Sequence, residues 1–132
     1  MQRHLGQYMI NELSTVKTVL LVEDDAAIAE LLVQIIVQET PFQVFAVPDG
    51  PQALDVVKNI KPNLLLLDYW LPTMHGIELY DRLCAMNEMT QVPTIMLSVN
   101  PPVEEIKKRR IISIRKPFDV DQLLQTIQTL IT

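Results

Sequence analysis

The chain has 132 residues, enough for one ordinary domain with a buried core, and a net charge of −5 from 11 basic and 16 acidic residues. That acidity argues against non-specific binding of the whole surface to nucleic acid or to an anionic membrane. The single cysteine excludes an intramolecular disulfide and agrees with a reducing compartment. Nothing in the sequence is patterned as a secretory leader or a membrane span, so we expect a cytoplasmic protein.

Five short apolar segments predict β-strands. Four of them contain runs of the kind found in parallel strands that helices cover on both faces, and the second is rich in aromatic and β-branched residues. We predict strands at residues 19–22, 42–47, 64–68, 92–97 and 111–114.

Helical patterns follow each of these segments, so strands and helices alternate along the chain. Asp49-Gly50-Pro51 is a turn that starts the second helix, and Asp119 with Gln122 is placed to cap the last one. The fourth helix is the weakest, since only Val103 and Ile106 supply apolar contacts, and we expect it to be short or irregular. The predicted helices cover residues 28–36, 51–60, 77–86, 103–110 and 119–131, and residues 1–15 are predicted to be an extension preceding a domain at 16–132.

The inward stripes of the clearer helices are also predicted from this spacing. They comprise Ile28, Leu31, Leu32, Ile35 and Ile36 in the first helix, Leu79, Tyr80, Leu83 and Cys84 in the third, and Val120, Leu123, Leu124, Ile127 and Ile131 in the last.

Polar residues suited to phosphate chemistry stand at four strand ends. Glu23 and Asp24 follow the first strand, and Asp68, Ser98 and Lys116 follow the third, fourth and fifth. The carboxyl ends of parallel strands form the edge where open α/β sheets bind ligands, so we expect these residues to converge. Taken singly, each residue also has a simpler explanation as a helix cap, a turn residue or a surface charge.

Convergence of three carboxylates requires a counter-charge. Like charges about 4 Å apart repel by roughly 4 kcal/mol at an effective dielectric constant of 20, and Mg²⁺ characteristically offsets such repulsion while leaving positions for phosphate oxygens. A carboxylate, a metal, an ammonium and a hydroxyl together form a phosphoryl-transfer site. Asp68 is the predicted nucleophile because it ends the central strand.

The segments that carry these residues resemble the receiver domain of bacterial two-component response regulators, over residues from about 16 to 132. The resemblance implies an α/β fold, a three-layer flavodoxin-like (βα)5 sandwich with a parallel five-stranded sheet of order 2-1-3-4-5. The matching motifs are Leu21-Val22-Glu23-Asp24-Asp25, Asp49-Gly50-Pro51-Gln52-Ala53-Leu54, Lys61-Pro62-Asn63 through Asp68, Pro72, Gly76, Ser98 and Lys116-Pro117-Phe118.

The same resemblance implies roles for the site residues. Asp68 is the implied phosphoacceptor, Ser98 the switch hydroxyl and Lys116 the phosphoryl-binding cation. Mg²⁺ is implied at Glu23, Asp24, Asp68 and the backbone carbonyl of Trp70, and the Lys116–Pro117 bond is expected to be cis. Two features depart from the family: Ser113 replaces its usual aromatic residue, and the segment between Ser98 and Lys116 is short.

The implied function is a phosphorelay receiver rather than a classical enzyme. It would take a phosphoryl group from a histidine kinase or phosphotransfer protein and act on an unknown downstream protein, with homodimerisation left open and no direct contact with nucleic acid or membrane. The alternative is a phosphorylation-independent interaction module, favoured by the two departures. A haloacid-dehalogenase-like hydrolase is disfavoured, because residues 23–27 lack the Asp-x-Asp-x-Thr motif.

The basic run at residues 107–110 is interpreted as a solvated helix end rather than a site for an acidic partner.

Overall fold

A parallel five-stranded sheet forms the centre of the protein. The computed structural model describes residues 16–86 and 89–131, so the predicted extension at residues 1–15 lies outside the described part. The sheet order is β2-β1-β3-β4-β5, which confirms the predicted topology. The strands are β1 (Thr18–Val22), β2 (Gln43–Val47), β3 (Leu64–Asp68), β4 (Thr94–Ser98) and β5 (Ile111–Arg115).

A helix follows each strand, as predicted. Aspartates cap three of them: the Asp25 carboxylate accepts from the N–H groups of Ala27 and Ile28, and Asp49 and Asp119 each accept from the N–H three residues later. The helices are α1 (Ala26–Glu39), α2 (Gly50–Val56), α3 (Gly76–Cys84), α4 (Val103–Lys107) and α5 (Val120–Ile131). None of the described helices is long and apolar enough to cross a membrane.

The core has two layers, one on each face of the sheet. Every residue of β1, β3 and β4 is buried, because alternate side chains meet helices on opposite faces. One layer joins α2 and α3 to the sheet and includes Leu20, Leu65, Leu67, Leu79 and Leu83; the other joins α1 and α5 to it and includes Leu21, Leu66, Leu32, Ile36 and Ile127.

Three helix residues that were predicted to make apolar contacts are exposed. Leu31 is 52% exposed, Val103 49% and Val120 38%, so their assignment to the core was wrong. In α1 the buried positions are Leu32 and Ile36, four residues apart on one side of the helix, and Leu31 lies outside that sector. In α4 only Ile106 is buried, so apolar packing holds this helix at a single point.

An arginine anchors the short α4 instead. The Nε and Nη2 atoms of Arg109 donate to the two carboxylate oxygens of Asp81 on α3, each at 2.7 Å, and Nη1 donates to the carbonyl of Glu105 at 2.7 Å. Hydrogen bonding to Arg109 lowers the pKa of Asp81. The interpretation of the basic run as solvated therefore holds for Lys107 and Lys108, which are exposed, and is wrong for Arg109.

Candidate functional site

Three carboxylates converge where β1 and β3 end. Oxygen atoms of Glu23, Asp24 and Asp68 all lie within 4.8 Å of one another. Glu23 and Asp68 are buried, whereas Asp24 is exposed. The backbone N–H of Asp25 donates to Glu23 Oε2 at 3.1 Å, which orients that carboxylate. The structure thus brings together the three acidic residues that the sequence predicted.

Lys116 reaches the same place from the end of β5. Its Nζ lies 3.2 Å from Asp68 Oδ1 and 3.4 Å from Glu23 Oε1. The Lys116 backbone N–H donates to the carbonyl of Ser98 at 2.9 Å, and the Lys116–Pro117 bond is cis as expected. One ammonium therefore bridges two of the three carboxylates.

The charge of this cluster is poorly compensated by the protein alone. Burial, reinforced by the neighbouring Asp68, raises the pKa of Glu23 to about 7, although the Asp25 N–H and Lys116 oppose the shift. Burial disfavours the Lys116 ammonium, but attraction to Asp68 and Glu23 outweighs it and raises the pKa of Lys116. A set of carboxylate oxygens with surplus negative charge is suited to a hard divalent cation.

Ser98 lies at the end of β4, in register with Arg115 and fully buried. Its Oγ accepts a hydrogen bond from the backbone N–H of Asn100 at 3.1 Å. The hydroxyl is therefore at the predicted edge of the sheet and is engaged with its own loop. Val99, which follows it, is 61% exposed.

The loop after Asp68 carries an aromatic cluster that the sequence analysis missed. The rings of Tyr69 and His75 are stacked, with centroids 5.4 Å apart and planes at 12°, and Trp70 meets both rings edge-on. Of the three residues, only Trp70 is named in the sequence analysis, and only for its backbone carbonyl. No periodic signal marks Tyr69 and His75 as neighbours, since an irregular loop brings them together.

Comparisons with known proteins place this chain in one family. A family profile described as "Response regulator receiver domain" matches residues 19–128. Sporulation initiation phosphotransferase F of Bacillus subtilis is 31% identical over 114 residues, which cover 83% of this chain and 90% of that protein. The DNA-binding response regulator MtrA of Mycobacterium tuberculosis is 36% identical over 88 residues, which cover 67% of this chain and 37% of MtrA.

Solved structures agree with these sequence relatives. The chemotaxis response regulator CheY4 of Vibrio cholerae superimposes with a TM-score of 0.79 at 25% identity, covering 88% of this chain and 99% of that one. A CheY-like receiver domain protein from Methanospirillum hungatei has a TM-score of 0.79 at 27% identity, covering 87% and 93%. The chain belongs to the response regulator receiver domain family of two-component signalling.

Proposed function

We propose that this receiver accepts a phosphoryl group on Asp68 in a two-component phosphorelay, with Mg²⁺ as its cofactor. The observation that carries the proposal is the cluster itself, in which Asp68 lies beside two further carboxylates and 3.2 Å from the Lys116 ammonium. Mg²⁺ would be held by Glu23, Asp24, Asp68 and the backbone carbonyl of Trp70.

In this proposal the phosphoryl group is transferred by in-line displacement. A carboxylate oxygen of Asp68 attacks phosphorus, and the bond from phosphorus to the donor nitrogen breaks, so the electron pair stays with the donor. The Lys116 ammonium neutralises charge on the transferred group, and a bound Mg²⁺ supplies further positive charge to its oxygens. The Ser98 hydroxyl, now bonded to Asn100 N–H, is the group that reorients toward the phosphoryl oxygens.

The partners follow from the donor chemistry. We propose a histidine kinase or a phosphotransfer protein as donor and an unidentified protein as the downstream target, in a cytoplasmic setting. Relatives that include a sporulation phosphotransferase and the sensor histidine kinase TmoS of Ectopseudomonas mendocina support that assignment, although the chain spans only 10% of TmoS. Homodimerisation stays open, and the absence of direct contact with nucleic acid or membrane stays a prediction.

Two residues that flank the acceptor control the stability of the phosphorylated state in this proposal. Trp70, two residues beyond Asp68, shields the acyl phosphate from water, and Asn100 occupies the corresponding place after Ser98. Hydrolysis of the acyl phosphate is then the only turnover that the protein performs, which distinguishes it from a classical enzyme. A Trp70→Ala variant should lose phosphate faster than the wild type.

The alternative, an interaction module without phosphorylation, is supported by the exposed Ser113 and the short α4. Against it stands the complete acidic cluster with its lysine. Burial and the neighbouring Asp68 raise the pKa of Glu23, and a module that needs only its outer surface has no use for carboxylates buried side by side.

One experiment tests the proposal. The protein is incubated with Mg²⁺ and a small acyl or amido phosphate donor, and its intact mass is measured for the wild type, Asp68→Asn and Asp25→Asn. The last variant is a matched control, because Asp25 caps α1 outside the acidic cluster and asparagine is an equally good cap. A single phosphoryl adduct is expected in the wild type and in Asp25→Asn only, and EDTA should suppress it.

The contrary results are equally specific. A wild type without an adduct refutes the acceptor chemistry and favours the interaction module, and an adduct that persists in Asp68→Asn moves the acceptor elsewhere. Rapid turnover of unrelated phosphate esters would favour a hydrolase.

A further inference from the structure

The aromatic cluster beside the acceptor fixes the position of an otherwise exposed side chain. Trp70 is 60% exposed, yet its ring centroid lies 5.0 Å from that of Tyr69 and 6.2 Å from that of His75, with interplanar angles of 82° and 86°. Edge-to-face contacts at such distances are favourable for aromatic pairs. The Tyr69–His75 stack is therefore the surface against which the indole rests.

The backbone explains why His75 meets Tyr69. The Tyr69 N–H donates to the carbonyl of Leu97 on β4 at 2.9 Å, which ties Tyr69 to the sheet directly after Asp68. The Tyr69 carbonyl accepts from Gly76 N–H at 2.8 Å and from Leu71 N–H at 3.2 Å. These bonds close the loop on itself, so the ring of His75 returns to the residue that adjoins the acceptor.

His75 has no competing structural role in its own helix. It is the N-cap residue of α3, but its side chain makes no capping hydrogen bond. Histidine is not among the favoured caps, and serine or aspartate at this position would satisfy the free N–H groups better. The imidazole is used for stacking on Tyr69 instead.

We infer that His75 is a positioning residue for the acceptor site: stacked on Tyr69, it holds in place the indole of Trp70, two residues beyond Asp68, and thereby lengthens the life of the aspartyl phosphate. The inference rests on the proposed function. The reaction it slows is hydrolysis, in which a water oxygen attacks phosphorus, the bond from phosphorus to the Asp68 oxygen breaks, and inorganic phosphate, the free carboxylate and a proton are released.

The test uses substitutions at a single position that separate stacking from capping. His75→Ala removes the ring, His75→Phe keeps a stacking ring, and His75→Ser supplies a good cap without a ring. Trp70 is the only tryptophan of the chain, so its fluorescence quenching by acrylamide reports the indole alone. The lifetime of the phosphoryl adduct is followed by intact mass after the donor is removed.

In the expected result, His75→Ala and His75→Ser increase quenching and shorten the adduct lifetime by roughly two- to tenfold, the range that one aromatic contact accounts for. His75→Phe should behave as the wild type. Adding His75→Ala to Trp70→Ala should have no further effect on lifetime, since the two residues act as a unit.

Each other outcome refutes a defined statement. Quenching unchanged in His75→Ala overturns the positioning role, and rescue of the lifetime by serine rather than phenylalanine assigns the effect to the helix cap. Additive effects in the double variant also overturn it, because His75 would then act independently of the indole. A wild type that forms no adduct refutes the proposed function and with it the effect on lifetime, whereas quenching still decides whether His75 holds the indole.

Discussion

Gly76 is the position where a single methyl group should disturb the acceptor most directly. A Cβ added there would lie 2.8 Å from the backbone carbonyl oxygen of Asp68 and 3.1 Å from the Cα of Tyr69, and both distances are shorter than the ordinary contact range, which starts at 3.4 Å. Neither atom can rotate away, because both belong to the backbone at the end of β3. The Gly76→Ala substitution must therefore push α3 away from the acceptor strand.

The cost follows from two opposing contributions. Overpacking of a close contact costs typically about 1–3 kcal/mol, and exchanging glycine for alanine in a helix returns at most about 1 kcal/mol. The net cost then lies between about 0 and 3 kcal/mol. We expect Gly76→Ala to fall near the middle of this range, lowering the free energy of unfolding by about 1–2 kcal/mol, and to lengthen the bond from Gly76 N–H to the Tyr69 carbonyl, which measures 2.8 Å. Phosphoryl uptake at Asp68 should slow as well, since the backbone of the acceptor is displaced.

Gly50 offers a matched control. A Cβ at Gly50 would lie 2.7 Å from the Cγ and Sδ atoms of Met74, a flexible side chain that can withdraw. Urea denaturation followed by circular dichroism should find Gly50→Ala less destabilised than Gly76→Ala, with normal phosphoryl uptake. A Gly76→Ala protein as stable as the wild type, or less affected than Gly50→Ala, would refute the steric argument.

Three further predictions concern charge. Lys116→Met should bind Mg²⁺ at least about fivefold more tightly by isothermal titration calorimetry, because a unit charge about 4 Å away acts with about 1 kcal/mol even in bulk water; weaker binding would contradict this. The fold raises the pKa of Glu23 from 4.5 to about 7 and so favours its protonated form. In the absence of metal, the stability that this protonation contributes is fully present below pH 4.5 and is lost as the pH rises through 7. Glu23→Gln should abolish that decline in thermal-denaturation scans, and an unchanged profile would count against it. Arg109→Ala should lower the free energy of unfolding by only about 1 kcal/mol at neutral pH, because the Asp81 side chain is half exposed. Arg109→Lys should not restore this stability, because an ammonium cannot donate to both Asp81 oxygens as the planar guanidinium does. Because the pKa of Asp81 is lowered from 3.8, the part of this stabilisation that comes from Asp81 should be lost as the pH falls through the folded-state value, leaving the bond to the Glu105 carbonyl; a cost that does not decrease in strong acid would refute the assignment.

The acidic cluster and its lysine could be predicted from the sequence because parallel strands turn separation along the chain into proximity. Glu23, Asp68 and Lys116 are far apart in sequence, yet each follows an apolar segment, and the carboxyl ends of such segments share one edge. The strand positions do not, however, say whether the side chains are close enough to interact. The distances of 3.2 and 3.4 Å from Lys116 Nζ confirm that these residues meet.

Helix faces were predicted less well, because periodicity defines an apolar sector without saying how much of it the sheet covers. Leu31 lies outside the buried sector of α1 and Val120 begins α5, and both remain exposed. Charge patterns were equally ambiguous. Nothing in the basic run distinguishes Arg109 from its neighbours until Asp81 on another helix is placed opposite its guanidinium group.

The sequence by itself determined the order of strands and helices, the edge of the sheet at which chemistry occurs, and the residue types that meet there. These depend on local patterns and on the general geometry of parallel sheets. Only the tertiary structure decided the stacking of His75 on Tyr69, the anchoring of α4 by Arg109 and the close approach of Gly76 to Asp68. Each of these is a specific contact between segments that are distant in sequence or joined by an irregular loop, and such a contact leaves no periodic pattern in the chain.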